Sequence, residues 1–456
     1  MSYIIKVIKL TLCLLGITFC FGQDTLWHVL PNAPEAPAEL KKHDDIYFRN
    51  DTTGWLVTRS GQIFYTSDGG TSWLEQMHDS TAFLRCIGFL DDLNGIAGNL
   101  KADTSGKILY RTENKGLSWN VVDSSAISGE IPKGMCGIFV VDSSTVYACG
   151  RVFGPAFFIR SFDGGDTWES FNMSDSVGML IDLYFWDVNH GIMIGGSDTD
   201  TDSCRMLILY TENAGDSWET VYLGDRVQEW GWKISFPSET IGYVSIQKLP
   251  FTDATTEYFL KTTDGGMNWI ELAFMYPDST DSLVYSSQGI GFVTPTKGWL
   301  GSYGDDKPTL VTEDGGVTWA EATFGQNVNR IRFLHLWLGY ATGRMVYKYV
   351  DSTAMSISDQ NMVIDNFSLS HNYPNPFNPK TVIPYEIRVN GPISIEIIDI
   401  TGKHVRSLIN EHKSPGTYTV KWNGKNNYGD NVATGTYFCI MTAGNLTTSQ
   451  KILLLR

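Results

Sequence analysis

Short apolar runs broken by polar turns fill most of this chain, and their pattern predicts strands in pairs. An aromatic-ended run, a short polar turn and a glycine-led run recur: Tyr47-Phe48-Arg49 to Gly54-Trp55, Gly88-Phe89-Leu90 to Gly95-Ile96, and Ile138-Phe139-Val140 to Tyr147-Ala148. The series continues with Tyr184-Phe185-Trp186 to Gly191-Ile192, Ser235-Phe236-Pro237 to Gly242-Tyr243, Gly291-Phe292-Val293 to Gly298-Trp299, and Arg332-Phe333-Leu334 to Gly339-Tyr340. Runs this short, bounded by turn residues, read as β-strands. Each pair (strands A and B) is followed by a third run, C, and then by an eight-residue turn that opens a fourth, D.

That turn is Thr66-Ser67-Asp68-Gly69-Gly70-Thr71-Ser72-Trp73, and the chain repeats it six times. Its third position is Asp68, Asn114, Asp163, Asn213, Asp264 and Asp314, and it closes on Trp73, Trp119, Trp168, Trp218, Trp269 and Trp319, spaced 46, 49, 50, 51 and 50 residues apart. A period of this size suits a four-stranded propeller blade and is too long for a helical hairpin repeat. The carboxylate or amide is expected to accept hydrogen bonds from backbone N–H groups a residue or two ahead. The glycine two places on supplies a positive φ, and the tryptophan a broad flat surface between sheets. The motif resembles the Asp-box (BNR repeat) of sialidases, sortilin-type receptors, some glucan hydrolases and the photosystem II assembly/stability factor family.

Seven A–B pairs stand against six turns. After the seventh pair Met345–Val350 supplies a strand C with no turn behind it, whereas Thr25–Leu30 resembles an orphan strand D, with Trp27 in the tryptophan position. The expectation is an all-β, seven-bladed β-propeller over residues 23–350, closed by its N-terminal strand, with six blades as the alternative. Closure protects sheet edges that would otherwise pair with other chains.

Residues 351–366 read as a Ser/Asp/Asn-rich linker. Residues 367–456 begin with Asn372-Tyr373-Pro374-Asn375-Pro376-Phe377-Asn378-Pro379, whose alternate prolines hold an extended segment. Strands are expected at Thr381–Arg388, Ile393–Ile400, Tyr418–Trp422, Thr436–Met441 and Lys451–Leu455, a small Ig-like β-sandwich. This opening, with Asp399-Ile400-Thr401-Gly402-Lys403, Gly435-Thr436-Tyr437-Phe438 and the closing Lys451–Arg456, resembles the C-terminal sorting domain of type IX (Por) secretion substrates. The resemblance implies the type IX machinery as a partner and a destination outside the cell or on its surface.

Composition agrees with export. Lys6 and Lys9, the apolar run Leu10–Phe21 and Cys20-Phe21-Gly22 read as a signal peptide over residues 1–22, with a lipid-anchored Cys20 as the rival reading. No later run is long and apolar enough to span a bilayer as a helix. Beyond the signal, 32 Lys+Arg face 50 Asp+Glu, which argues against nucleic acid and against an anionic membrane surface. The tail carries 9 basic against 5 acidic residues, and residues 23–366 carry 23 against 45. Five cysteines remain without a C-x-x-C spacing, so neither a metal site nor a disulfide framework is expected; Cys136 and Cys149 either bridge one hairpin or stay buried thiols.

The turn carboxylates serve their own backbone, so candidate chemistry lies on the B–C and D–A loops. Arg59, Arg151 and Arg344 share one register after strand B, with Lys248 a step away. Guanidiniums gathered there would hold a carboxylate or phosphate, or each would cap its own loop. Trp230, Trp232, Phe251, Tyr276 and Tyr303 form either a platform for sugars or peptide side chains, or part of the core. Sialidases also carry a Phe/Tyr-Arg-Ile-Pro motif, and neither Phe48-Arg49-Asn50-Asp51 nor Leu84-Arg85-Cys86-Ile87 matches it. Glucan hydrolysis needs two opposed carboxylates; Asp253, Asp278, Asp305 and Asp306 are available without a marked pair. Asp198–Asp202 spaces carboxylates as a calcium loop does but lacks the EF-hand glycine and glutamate. No zinc spacing and no cofactor motif is present. The reading is an exported, non-catalytic propeller binding an unknown protein, peptide or glycan on its loop face, most similar to the photosystem II assembly/stability factor type; the alternative is a secreted glycoside hydrolase.

Overall fold

The computed structural model describes residues 26–36, 42–248, 256–275, 286–303, 308–354, 367–370, 372–387, 391–399, 403–414, 416–443 and 446–455. Residues 1–22, most of 351–366, Phe251, Asp253, Tyr276, Asp278, Asp305 and Asp306 lie outside them. The chain divides into two compact units, Met1–Val350 and Asp351–Arg456.

Among the described residues the first unit holds seven sheets, antiparallel but for one added strand. Strands A to D of the first are Asp45–Phe48, Gly54–Val57, Gln62–Thr66 and Leu74–His78; of the second, Leu84–Phe89, Gly95–Asn99, Leu109–Thr112 and Asn120–Val121. The third has Gly137–Val140, Val146–Gly150, Phe157–Ser161 and Trp168–Asn172, widened by Ile127–Gly129, which pairs parallel to Trp168–Asn172. The fourth is built from Met179–Phe185, Gly191–Gly196, Arg205–Thr211 and Glu219–Val227, and the fifth from Glu229–Ser235, Gly242–Lys248, Thr256–Thr262 and Ile270–Met275. The sixth has Ser287–Phe292, Gly298–Ser302, Pro308–Thr312 and Ala320–Gln326. In the seventh, Arg330–His335, Leu338–Thr342 and Val346–Val350 are joined by Trp27–Val29, with Trp27 opposite Tyr349. The A strands of successive sheets lie side by side, and that of the seventh lies beside that of the first.

Aromatic packing joins the sheets. Trp27 stacks on Phe324 of the sixth sheet at 4.3 Å between centroids, and Phe48 of the first stacks on Tyr340 of the seventh at 3.5 Å. The same stacked pairing recurs between Trp55 and Phe89, Tyr147 and Phe185, and Tyr243 and Phe292, each a large apolar contact. The glycine that opens strand B makes room for it. A Cβ on Gly191 would lie 2.4 Å from the Phe185 ring.

The eight-residue turns differ in detail from expectation. The third-position side chain accepts from the backbone N–H four residues ahead, as in Ser72 to Asp68, Ser118 to Asn114 and Thr167 to Asp163, each at 2.9 Å. It spans the whole corner because the first-position hydroxyl takes the nearer donor, Gly70 N–H to Thr66 Oγ1 at 2.9 Å. Two consecutive residues, not one, have positive φ: Gly69 and Gly70 at 69° and 90°, Ala214 and Gly215 at 59° and 88°. Trp168 and Trp269 are buried, and the other four closing tryptophans are half-buried.

The second unit has a three-stranded sheet, Phe367–Leu369, Thr381–Ile387 and Gly416–Trp422, and a four-stranded one ordered His404–Lys413, Gly391–Asp399, Gly435–Ala443, Leu446–Leu454. Thr381–Ile387 alternates buried and half-buried positions, and Ile383, Ile395, Trp422, Cys439 and Leu454 lie at the core. His404–Lys413 was not expected. None of its residues is fully buried, and two register shifts against its partner strand break the alternation that would mark it. In the proline segment Asn372 Nδ2 donates to Thr381 Oγ1 at 2.8 Å and to the Pro374 carbonyl at 3.0 Å. Asn375 accepts from the Leu453 N–H at 3.0 Å. Phe377 is buried, whereas Tyr373 is exposed and Pro376 lies on the surface.

Candidate functional site

A cavity of about 470 Å³ opens where the A strands begin and the B–C loops end. Its cations are Lys42, Arg59, Arg85, Lys101 and Arg151; its aromatic walls are Phe83, Phe153, Trp230, Trp232 and Tyr303. Local structure explains the placement. Arg59, Lys101, Arg151, Phe153 and Tyr303 follow strand B of their sheets, where chain reversal carries them to one end. Arg85, Trp232 and Gln288 come instead from within A strands, each at a break in register: between Leu84 and Cys86, Gly231 and Lys233, and Ser287 and Ile290. A bulge inserts a residue without a partner opposite and re-aims its side chain.

The floor of the cavity is an ion and amide network. Arg59 holds Asp44 with two hydrogen bonds, Nη2 to Oδ1 at 3.0 Å and Nε to Oδ2. Lys42 donates to Gln288 and, at 3.2 Å, to Asn329 Oδ1. Asn329 Oδ1 also accepts from Trp232 Nε1 at 2.8 Å, and its amide nitrogen donates to the Asp44 carbonyl at 3.0 Å. Burial, followed by the neighbouring Arg59 charge, lowers the Lys42 ammonium well below the usual lysine range. Burial alone would raise the Asp44 carboxyl, but Arg59 and Arg85 outweigh it and hold it below the usual carboxylate range. Several rings face cations: Lys42 Nζ lies 5.5 Å from the Trp232 ring and 5.3 Å from that of Tyr303, and Arg85 4.8 Å from Trp232.

Below it, buried charges tie distant sheets. Asp45 meets Arg330 and Arg332, both at 3.0 Å, while accepting from the Ile87 N–H at 3.1 Å. Asp182 accepts from Arg330 at 2.8 Å and lies 4.0 Å from Lys233, whose ammonium is lowered to about 8 by burial and then by Arg330. At the other end of the A strands a cavity of about 260 Å³ is walled by Phe48, Phe139, Tyr184, Phe236, Phe292 and Phe333.

The structure therefore brings Arg59, Arg151, Trp230, Trp232 and Tyr303 together. Arg151 also caps its own loop, donating to the Gly154 carbonyl at 2.7 Å, and reaches the Lys133 carbonyl at 3.2 Å, whereas Arg59 bonds Asp44. Trp230 lies in strand A of the fifth sheet and is buried, and Tyr303 is 42% exposed. Arg344 does not line the cavity: it is exposed on the B–C turn of the seventh sheet, held by its backbone N–H on the Gln326 carbonyl. Lys248 pairs with Glu257 at 2.6 Å and is likewise outside the lining. The sequence reading missed Lys42, Arg85 and Gln288. The signal for Arg85 was a lone cation within the apolar run Leu84–Phe89. Asp198 accepts from the Asp200 N–H and from Ser203 Oγ, the bonds of a self-tied loop. Among the described residues no group of three or more His, Cys, Asp or Glu is placed to hold a metal ion. No helix among them is long and apolar enough to cross a membrane.

Comparison with known proteins gives the fold. The structure is similar to YCF48 bound to D1 peptide (16% identity, TM-score 0.53, covering 72% of this chain and 95% of that one). It is similar to YCF48 from Cyanidioschyzon merolae at 15% identity and TM-score 0.52, covering 71% and 99%. PorZ, described as an essential bacterial surface component of the type IX secretion system of Porphyromonas gingivalis, matches at 13% identity and TM-score 0.50, covering 93% of this chain and 61% of that one. Residues 385–446 match the family described as FlgD Ig-like domain. No curated protein matches the chain by sequence. The first unit thus has a propeller-like all-β fold, and the second an Ig-like one.

Proposed function

We propose that this chain is an exported, non-catalytic β-propeller that holds a protein, peptide or glycan on its loop face. In this reading the seven sheets are seven blades, closed by the pairing of Trp27–Val29 with Val346–Val350, and the repeated turns are Asp-boxes. Residues 1–22 are the signal peptide, 23–350 the propeller, 351–366 the linker and 367–456 the type IX sorting domain, with release or attachment at the cell surface. One observation carries the binding role. Arg59, Arg151, Trp230 and Tyr303, widely separated in sequence, line one cavity with Lys42, Arg85 and Trp232. Cations backed by aromatic rings, with the neighbouring carboxylate Asp44 already engaged by Arg59, form a surface for recognition more than for acid–base chemistry. A peptide in a structural neighbour of the same fold supports a binding role, although fold alone does not transfer it.

The test is capture of peptides and glycans from defined arrays by the full chain, with Arg151→Ala and Tyr303→Ala as cavity variants. Binding without turnover that both variants weaken is expected. Turnover of sialosides or β-glucans would replace this reading with a glycoside hydrolase.

A further inference from the structure

Four polar atoms on three side chains of the cavity wall lack hydrogen-bond partners. Arg85 is 3% exposed; it lies over the Trp232 ring and 3.6 Å from Asp44, yet its Nε and Nη2 donate no hydrogen bond. The Trp230 indole Nε1, buried in the same wall, has no acceptor. Gln247 Oε1, also in the wall, has no donor. Burying such a group unsatisfied costs about 1–3 kcal/mol, and more when it is charged. Their grouping at one cavity is the observation from which a ligand is inferred.

The charges around it define the ligand. Asp44 is committed to Arg59 through two hydrogen bonds, and Arg85 lies within ion-pair range of it at 3.6 Å without hydrogen-bonding to it. Lys42 is committed to Gln288 and Asn329. Of the two guanidiniums beside Asp44, Arg85 is the one left without a hydrogen-bonded carboxylate, and its planar fork suits a carboxylate. The rings of Phe153, Trp232 and Tyr303 suit a flat or apolar body.

We propose that the cavity takes an organic carboxylate carrying a flat or apolar body, its oxygens accepting from Arg85 and Trp230. This rests on the binding role proposed above and gives it a ligand chemistry. Gln247 Oε1 receives an N–H or O–H of the body. The donors are closed to solvent, so a wall side chain must move to admit a ligand, and in this proposal that side chain is Phe153. That ring is 53% exposed, stands edge-on to Trp230 at 6.1 Å, and sits on a backbone at φ 62°, unusual for a bulky residue. A small molecule and the end of a longer chain present the same group.

The experiment titrates the full chain with N-acetyl-L-phenylalanine, its neutral amide and phenyl phosphate, read by calorimetry and tryptophan fluorescence. The acid is expected to bind at least about tenfold more tightly than the amide, and phenyl phosphate no more tightly than the acid. Trp230→Phe keeps a ring and removes the N–H, so the acid-to-amide ratio falls about fivefold; Arg85→Gln abolishes the preference. A ratio is insensitive to a modest loss of stability, which keeps the result readable if Arg85→Gln folds poorly. An N-acetyl tripeptide ending in phenylalanine separates the sources: equal affinity to the single residue indicates a free small ligand, and tighter binding indicates a chain end. Equal binding of acid and amide, tighter binding of the phosphate, or no binding of either at about 10 mM overturns the carboxylate assignment. Those results leave the array test of the binding role untouched.

Discussion

Arg330 donates two hydrogen bonds to Asp182, Nη1 to Oδ2 at 2.8 Å and Nη2 to Oδ1 at 3.2 Å, across 148 residues of sequence. The pair joins strand A of the seventh sheet to strand A of the fourth, so sheets far apart in the chain share a buried charge pair.

Removing one partner strands the other. Asp182→Ala takes a carboxylate from Arg330, which keeps Asp45, and from Lys233, and breaking a buried pair costs about 3–5 kcal/mol. The expected result is a lower urea midpoint with an unchanged slope. A loss within about 0.5 kcal/mol would mean that water replaces the carboxylate.

Trp27 anchors the strand completing the seventh sheet. It is buried between Phe324, Trp299, Phe333 and Tyr349. Trp27→Ala should cost about 3–5 kcal/mol. Deleting the chain through Val29 should bare the edge of Val346–Val350 and promote self-association. Thermal unfolding and light scattering check the two effects.

Neighbouring turn glycines should differ in tolerance. Gly164 has φ 75° with room for a Cβ, at the position where the chain elsewhere places Ala214 and Lys115. Gly165 has φ 87°, and a Cβ there meets the Ile96 side chain at 2.8 Å. Gly164→Ala is expected to cost about 1 kcal/mol and Gly165→Ala about 2 or more, from the left-handed backbone and the contact. Denaturation of the two variants side by side decides.

Two buried groups give stability opposite pH slopes. Burial raises the Glu257 carboxyl from 4.5 to about 7 in spite of Lys248 beside it, with Glu229 adding and Arg226 opposing. Folded protein therefore holds a proton that the unfolded chain has released. Its contribution is full below about pH 4.5 and is lost as pH rises toward 7. Burial lowers His43 from 6.5 to about 4, against the Pro34 carbonyl and Asp44, so its contribution is full above about 6.5 and is lost as pH falls toward 4. Glu257→Gln should remove the decline on the alkaline side, and His43→Gln that on the acid side, in urea midpoints measured between about pH 4 and 7.5.

Cys86, Cys136, Cys149, Cys204 and Cys439 are buried free thiols. Cys136 and Cys149 share a backbone hydrogen bond of 2.8 Å without a bridge. Burial pushes the Cys439 thiol to about 12 and Cys149 well above its ordinary value. A thiol reagent near pH 8 should label none of the five in the folded protein and all five in denaturant. Mass spectrometry of the intact labelled chain shows which holds.

Much of the fold was legible because its signals are local. A glycine opening strand B and an aromatic ending strand A lie within a few residues of each other, as Gly191 and Phe185 do, and the turn from Thr66 to Trp73 takes its Gly70 and Ser72 N–H groups on its own side chains. Where partners are remote or alternation fails, the sequence carried little. His404–Lys413 is a strand whose irregular apolar positions hide it, and the pairing of Arg330 with Asp182 has no local trace.

The sequence by itself determined the repeat, its strand content and which loops share an end, because hydrogen bonds within a turn and contacts between adjacent strands need only nearby residues. Tertiary structure alone decided which of those loop residues meet. Arg59 and Arg151 reach the cavity and Arg344 does not, while Arg85 and Trp232 enter it from bulged strands. A bulge reverses which face a side chain takes, and a shared cavity depends on how sheets about fifty residues apart pack against one another.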